Sequence, residues 1–428
     1  MNFTDLKLHR SIQEAITEEG YTAPTPIQEQ AIPAVLDGFD LVGCAQTGTG
    51  KTAAFAIPIL NYLHRIVGSP KKAKHIRTLV ITPTRELAIQ VCESFETYGK
   101  YTAVKPLVIF GGVNQVPQVN ELKQGVDVLI ATPGRLLDLH KQGFIDLNHL
   151  HHLVLDEADL MLDMGFINDV RKIIKLTPDN RQTLLFSATM PMEIRELADT
   201  FLTRPKYISV TPVSSTAEKV NQKIYFVDKE DKRKLLYHII EEDKLENVLV
   251  FVRTKHGADN VVKALKKQNI SAEAIHGDKS QSARQRVLES FKNKETSVLV
   301  ATDIAARGID IELLPYVINF DLPNIPETYV HRIGRTGRAG NSGLAISFCG
   351  KDEKTYWQDI EKLIRQKVKV VNDHPFPWKD EVKNPDAKPD FRNKKKPQDG
   401  KKKPGGNSNN NSNSRKSDNS KKNKKRWY

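Results

Sequence analysis

The densest chemistry in this sequence lies in Gly43-Cys44-Ala45-Gln46-Thr47-Gly48-Thr49-Gly50-Lys51-Thr52. Small residues let successive backbone N–H groups turn inward on an anion, a lysine reaches terminal phosphates, and a hydroxyl beside it can ligate Mg²⁺. Ala45, Gln46, Thr47, Gly48, Thr49, Gly50, Lys51 and Thr52 are therefore the candidate nucleotide-binding residues, with Thr52 also a candidate metal ligand. One position departs from the strict pattern G-x-x-x-x-G-K-[ST], which wants glycine where Ala45 stands; alanine is nearly as small.

A second chemical run is Asp156-Glu157-Ala158-Asp159 after the apolar Leu153-Val154-Leu155. Two carboxylates at the end of a buried strand suit phosphoryl transfer to water. Asp156 is placed to hold Mg²⁺, largely through water, and Glu157 to orient and deprotonate the attacking water. His149, His151 and His152 lie nearby, but their spacing fits no metal-ligand pattern.

These residues need elements to hold them. The apolar run Leu41–Cys44 reads as a strand and Ala53–Ile57 as the start of a helix, so the phosphate loop lies at a helix N-terminus, where the backbone carries partial positive charge. Residues 1–210 alternate apolar runs with amphipathic stretches, as a parallel α/β sheet does, with further strands expected at Leu79–Thr82, Leu107–Phe110, Val126–Ala131, Leu153–Asp156 and Thr183–Ser187. The polar, proline-bearing stretch 211–217 reads as a linker. A second alternating block, 218–371, has strands expected at Lys223–Val227, Val248–Val252, Ala272–Ile275, Val298–Ala301, Val317–Phe320 and Leu344–Phe348. It carries no phosphate loop of its own, which predicts two related sheets sharing one nucleotide.

Composition narrows the class. The sequence has no 18-residue apolar run and no secretory leader at its start, so neither membrane insertion nor secretion is expected and a cytoplasmic protein is. Its 3 cysteines are scattered and offer no disulfide framework. Net charge is +13, unevenly placed: residues 379–428 hold 17 Lys and Arg against 6 Asp and Glu, a net +11, leaving 48 against 46 before them. Residues 372–428 are rich in Lys, Asn, Ser and Gly and are expected to be disordered, a basic tail serving as a salt-sensitive RNA tether.

Asp156-Glu157-Ala158-Asp159 is the motif that names the DEAD-box helicases, and the sequence resembles that family along residues 3 to about 350. Phe3, Gly20-Tyr21 and Pro24-Thr25-Pro26-Ile27-Gln28 resemble its Q motif; Pro83 to Ala88 resembles motif Ia; Gly111-Gly112 and Thr132 to Arg135 the GG and Ib motifs. Ser187-Ala188-Thr189 resembles motif III, Val250 to Thr254 motif IV, Gln281 with Arg284 the short motif after it, and Ala301 to Asp310 and His331 to Arg338 motifs V and VI. Motif spelling and the Lys/Asn-rich tail are similar to the bacterial RhlE-like branch.

The resemblance implies two RecA-like domains and an ATP- and Mg²⁺-dependent RNA helicase that locally separates short duplexes or remodels RNA–protein complexes. Gln28 can fork onto the N7 acceptor and N6 donor of adenine, which favours ATP over GTP. By resemblance, Phe3 or Tyr21 stacks on the base and Asp310 takes the ribose hydroxyl. Arg335 and Arg338, three apart and expected on one face of a short helix, are implied to be arginine fingers from the second domain. Ser187 and Thr189 are implied to couple to Asp159 and His331 and to link hydrolysis to strand separation. Pro83, Thr84, Arg85, Gly112, Thr132, Arg135, Arg284, Thr302 and Asp303 are the implied RNA-facing set. They are small, hydroxylated or charged, chemistry that grips a backbone rather than reads bases. An ATP-gated RNA clamp without productive unwinding and a DNA-directed helicase remain alternatives at this point. The RNA served, whether in ribosome assembly, decay or cold adaptation, is not legible, and a monomer is the default oligomeric state.

Overall fold

In the first half of the chain the apolar runs become β1 (Leu41–Cys44), β2 (Thr78–Ile81), β3 (Pro106–Ile109), β4 (Val128–Ala131), β5 (His152–Leu155), β6 (Gln182–Ser187) and β7 (Lys206–Ser209). In the second they become β8 (Asn221–Phe226), β9 (Val248–Val252), β10 (Ala272–Ile275), β11 (Val298–Thr302), β12 (Tyr316–Asn319), β13 (Leu344–Cys349) and β14 (Lys369–Val370). The structure is a computed structural model that describes residues 2–46, 48–67, 75–210, 220–306, 314–336 and 343–378, apart from the side chain of Ile304. Thr47, Asp310, Arg338, the expected linker 211–217 and the basic tail from 379 lie outside the described residues.

Each set of strands forms a seven-stranded sheet, in order β3-β4-β2-β5-β6-β1-β7 and β10-β11-β9-β12-β13-β8-β14. Counted from its own first strand, the second sheet repeats the order of the first. The neighbouring strands pair in parallel. The expected pair of related parallel sheets, each flanked by helices, is therefore what the chain builds; we call them the first and second lobes. Both belong to one compact unit, Met1–Lys379.

Parallel strands are covered on both faces, which explains their uninterrupted apolar runs. In the first lobe, Val80, Val154 and Leu184 pack with the helices Lys51–Val67 and Arg85–Tyr98, while their strand neighbours Leu79, Leu153 and Leu185 pack on the opposite face. The strands that sequence reading missed, β7 and β14, are edge strands with mostly exposed residues, so they carry no apolar run to find. The folded chain also continues past 371, where disorder was expected to begin: Trp378 donates from Nε1 to the Cys349 carbonyl at 3.1 Å and its ring lies 4.8 Å from that of Phe226.

Strand order decides which loops meet. The loops after β5, β6 and β1, three neighbouring strands, carry Asp156–Asp159, Ser187–Thr189 and the phosphate loop. Those after β3, β4 and β2 carry Gly111–Gly112, Thr132–Arg135 and Pro83–Arg85. One carboxyl edge of the sheet is thus divided into two groups of candidate residues, as ligand sites in open α/β sheets require.

Candidate nucleotide and RNA site

The phosphate loop leaves β1 and re-enters structure at Lys51, first residue of the helix Lys51–Val67. Gly48 and Gly50 have left-handed backbone, φ +76° and +90°, which a side chain would strain. At Gly50 the approach is also close, since a Cβ there would run into the Gln28 amide and lie 3.1 Å from Thr25 Oγ1. Ala45 is not among the residues of positive φ; its methyl is buried in the core of the lobe and its N–H donates to the Ser187 carbonyl at 3.0 Å. The departure from glycine therefore costs the loop nothing.

Gln28, 5% exposed, is tied to the loop from the helix Pro26–Leu36: its Nε2 donates to the Gly50 carbonyl at 3.2 Å and its Oε1 accepts the Thr25 N–H at 3.0 Å. The amide keeps one further N–H and one further lone pair, enough for the adenine fork. Of the two aromatic candidates, Phe3 is 5% exposed and Tyr21 44%, with ring centroids 6.5 Å apart. Tyr21 is the more exposed of the two rings, and Phe3 lies stacked against it.

Lys51 Nζ meets Glu157 Oε1 at 2.6 Å, with side-chain exposures of 5% and 12%. Burial would depress the Lys51 pKa, yet the carboxylates of Glu157, Asp156 and Asp159 hold it above the ordinary lysine value. Asp156 is 2% exposed, and burial pushes its carboxyl up to about 7, opposed by Lys51 and reinforced by Glu157. Three carboxylates here face one lysine. A divalent cation held largely through water would relieve that excess, although among the described residues no three His, Cys, Asp or Glu side chains converge as a direct ligand cluster. Glu157 adopts left-handed backbone, φ 55° and ψ 54°, as it caps the helix Ala158–Asp163. For a non-glycine residue this stores on the order of 1 kcal/mol or more of strain, the kind found where a side chain must be aimed.

Asp159 joins three sequence-predicted residues. Its N–H donates to Ser187 Oγ at 3.1 Å, and its Oδ2 accepts from both the N–H and the hydroxyl of Thr189, each at 2.9 Å. Burial pushes its carboxyl upward, but the His331 imidazole, Lys51 and these hydrogen bonds together hold it below the usual range. His331 belongs to the second lobe, in the helix Pro326–Ile333.

On the RNA-facing side, Pro83, Thr84, Arg85, Thr132, Arg135 and Arg284 line one cleft of about 490 Å³. Thr84 caps the helix Arg85–Tyr98, accepting the Leu87 N–H at 3.3 Å. Arg135 donates to the Val113 carbonyl at 3.0 Å. Gly112 has left-handed backbone, φ +74°, which a side chain would strain, and a Cβ there would also displace the Arg85 guanidinium. Arg284 reaches Glu86 Oε2 at 3.1 Å across the lobes, and Gln281 bridges the same gap, donating to Glu86 Oε1 at 2.9 Å and accepting from Arg85 at 3.2 Å.

One expectation changes. Arg335 is not on a helix: the helix Pro326–Ile333 ends at Gly334, and Arg335 lies in the turn leading to Thr336, which bridges to Leu314. Arg335 is nonetheless 7% exposed, held in the interior rather than in solvent. Asp303, after Thr302 at the end of β11, has both carboxylate oxygens taken by Arg332, at 2.6 Å from Nε and 2.8 Å from Nη2. Its side chain faces the lobe's own arginine, a partner that the sequence did not reveal.

Comparison with known proteins agrees with this geometry. Residues 25–197 match the DEAD/DEAH box helicase family and residues 231–340 the helicase conserved C-terminal domain. The chain is 44% identical over 370 residues to the ATP-dependent RNA helicase CshA of Limosilactobacillus reuteri, covering 86% of this chain and 73% of that protein. It is 42% identical over 368 residues to the DEAD-box ATP-dependent RNA helicase CshA of Bacillus subtilis, covering 86% and 73%. The chain belongs to the DEAD-box helicase family. Among solved structures it is similar to S. cerevisiae Dbp5 bound to RNA and ADP BeF3, with TM-score 0.77 and 30% identity over 86% of this chain and 95% of that one. A DEAD-box protein from the hyperthermophile Methanococcus jannaschii is 38% identical over 87% and 99%, at TM-score 0.50. The bacterial relatives carry the name CshA; those names lend no support to the expected RhlE-like branch.

In this DEAD-box chain, sequence reading assigned no role to Glu86, Met164, Phe166 or Gly277, which also line the RNA-facing cleft. Glu86 sits inside motif Ia, so its position was visible. Its task was not, because its partners Gln281 and Arg284 lie in the other lobe. No local pattern marks Met164 or Phe166.

Proposed function

We propose that this DEAD-box chain is an ATP-dependent RNA helicase that binds ATP·Mg²⁺ and an RNA strand between its two lobes. On this reading the division into residues 1–210, a linker 211–217 and residues 218–371 is functional, and closure of the lobes completes the site. Lys51 and the phosphate loop hold the phosphates, Thr52 and Asp156 hold Mg²⁺, and Glu157 takes the proton of the attacking water. Gln28 and Tyr21, backed by Phe3, hold adenine, and Asp310 the ribose. Arg335 and Arg338 meet the γ-phosphoryl group, where such fingers are worth about 10³ to 10⁵ in rate. Bound Mg²⁺ would neutralise charge on the transferring phosphate.

One observation carries the reading. Asp159 donates its N–H to Ser187 and accepts from Thr189 beside the Lys51–Glu157 pair, and it also lies within electrostatic reach of His331 in the other lobe. A nucleotide at Lys51 is thereby linked to the position of the second lobe, and the Glu86–Arg284 contact links that position to the RNA-facing cleft. Likeness to a relative captured with RNA and a nucleotide supports the same coupling. Among the described residues no helix is long and apolar enough to cross a membrane. The tail, at net +11, serves as an RNA tether of little sequence preference, and the site of action is cytoplasmic. Deleting residues 379–428 should weaken RNA binding and flatten its salt dependence without lowering RNA-free hydrolysis.

The test is ATP hydrolysis with RNA, with DNA and with neither, alongside strand separation of a short RNA duplex. RNA should stimulate hydrolysis and DNA should not, and Glu157→Gln should bind ATP while losing at least about a hundredfold in turnover. Equal stimulation by DNA would reject RNA as the substrate. A duplex that stays annealed while RNA binds tightly would identify a clamp instead.

A further inference from the structure

Lys232 lies outside every motif of the second lobe. It opens the helix Lys232–Glu242, is 2% exposed, and donates from Nζ to Glu353 Oε2 at 2.6 Å, the Phe320 carbonyl at 2.7 Å and Asp321 Oδ1 at 3.4 Å. Glu353, also 2% exposed, accepts in addition from Arg253 Nη2 at 2.8 Å, the Leu322 N–H at 3.2 Å and the Gly350 N–H at 3.0 Å. Asp321 accepts the Arg253 N–H at 2.9 Å, and its carbonyl accepts Arg332 Nη1 at 2.6 Å. The rest of the Arg332 guanidinium forks onto Asp303.

A continuous chain of direct polar contacts thus runs Glu353–Lys232–Asp321–Arg332–Asp303. Its far end branches toward both halves of the site. Asp303 directly follows Thr302 on the RNA-facing side, while Arg332 directly follows His331 and precedes Arg335 on the nucleotide-facing side. A buried ion pair is a poor device for stability, because desolvating two charges cancels most of their attraction, and apolar replacements are often neutral. Such a pair can instead fix geometry. Lys232 holds the chain segment Phe320–Asp321 through two acceptors at once, with Glu353 as its third, and that segment supplies one of the acceptors that orient Arg332.

We propose that Lys232 and Glu353 are positioning residues for RNA-stimulated ATP hydrolysis, holding Asp321 so that Arg332 fixes motifs V and VI relative to each other. This rests on the proposed RNA-dependent ATPase, so the wild-type chain is measured first: if RNA does not stimulate it, that reading fails and overturns this proposal with it. Given stimulation, Lys232→Met should lower the melting temperature, because it removes one of the two cations paired with a buried carboxylate. The double variant Lys232→Met/Glu353→Gln should recover part of that loss, because it removes the excess charge while an amide oxygen remains to accept from Leu322 and Gly350. Its RNA-stimulated kcat, read well below its own melting temperature, should stay down about ten- to a hundredfold, with RNA-free hydrolysis within about twofold of wild type. A double variant that recovers stability and wild-type RNA-stimulated kcat together would reduce the pair to a structural role and overturn the proposal. Should the double variant not fold, Glu353→Gln decides by the same readouts: a fall in RNA-stimulated kcat alone supports positioning, and unchanged kcat overturns it.

Discussion

Glu86 Oε2 lies 3.1 Å from the guanidinium of Arg284, with side-chain exposures of 5% and 12%, and the two residues belong to different lobes. Glu86 is in the first turn after β2 and Arg284 in the first turn of the helix Gln281–Lys292 after β10. The same carboxylate takes Gln281 on its other oxygen, so one buried anion gathers two side chains of the second lobe into the wall of the RNA-facing cleft.

That arrangement makes Glu86 a determinant of closure on the RNA side. Glu86→Gln keeps the shape, removes the charge, and places an amide N–H against donors that need an acceptor. Removing one charge of a buried ion pair costs about 3–5 kcal/mol. RNA affinity with a non-hydrolysable ATP analogue should fall at least about tenfold, while ATP binding without RNA is unchanged. Titration of a labelled single strand measures this, and unaltered RNA affinity would remove Glu86 from closure.

The contrast between Glu86 and the phosphate loop shows what was legible in the sequence. The loop is local: strand, glycines, lysine and helix start lie within 17 positions, from Leu41 to Ile57, and each is dictated by its neighbours. The same holds for the strands with continuous apolar runs, which were placed to within a residue or two. Glu86 acts through Gln281, 195 positions away, and only the packing of the lobes brings them together. The Asp303 ion pair was hidden for the same reason, since its partner Arg332 is 29 positions on, in the helix Pro326–Ile333. Arg335 was misplaced by a local signal read too lightly: Gly334 ends the helix before it. Choosing Tyr21 over Phe3 as the base-facing ring required burial, which motif spelling does not carry.

Gln28 predicts a selectivity defect with two parts. Its amide supports the Gly50 carbonyl as well as the expected adenine fork, so Gln28→Ala should lower the preference for ATP over GTP and also loosen the loop. One good bidentate contact is worth about 1–3 kcal/mol of discrimination. Competition binding should show the ATP over GTP ratio falling about tenfold, with a smaller loss of affinity for inorganic triphosphate. An unchanged ratio would assign base selection elsewhere.

His152 predicts how the first lobe responds to acid. The ring is 4% exposed at the start of β5, edge-on to Tyr62 with centroids 4.8 Å apart, and its Nδ1 lies 3.4 Å from Thr78 Oγ1. Burial, and secondarily the charge of His151, depress its pKa from the ordinary 6.5 to about 3. The folded chain therefore keeps this histidine neutral where the unfolded chain protonates it. Below the unfolded value the unfolded state binds the extra proton, so stability is complete above about pH 6.5 and declines as pH falls toward about 3, at up to about 1.4 kcal/mol per pH unit. Between pH 6.5 and 5 the loss amounts to about 2 kcal/mol from this residue alone. His152→Phe fills a similar volume without a titrating group. Denaturant midpoints for the two proteins at pH 7.5 and 5 should show wild type losing that much more than the variant. Parallel losses in both would mean that acid sensitivity arises from other groups.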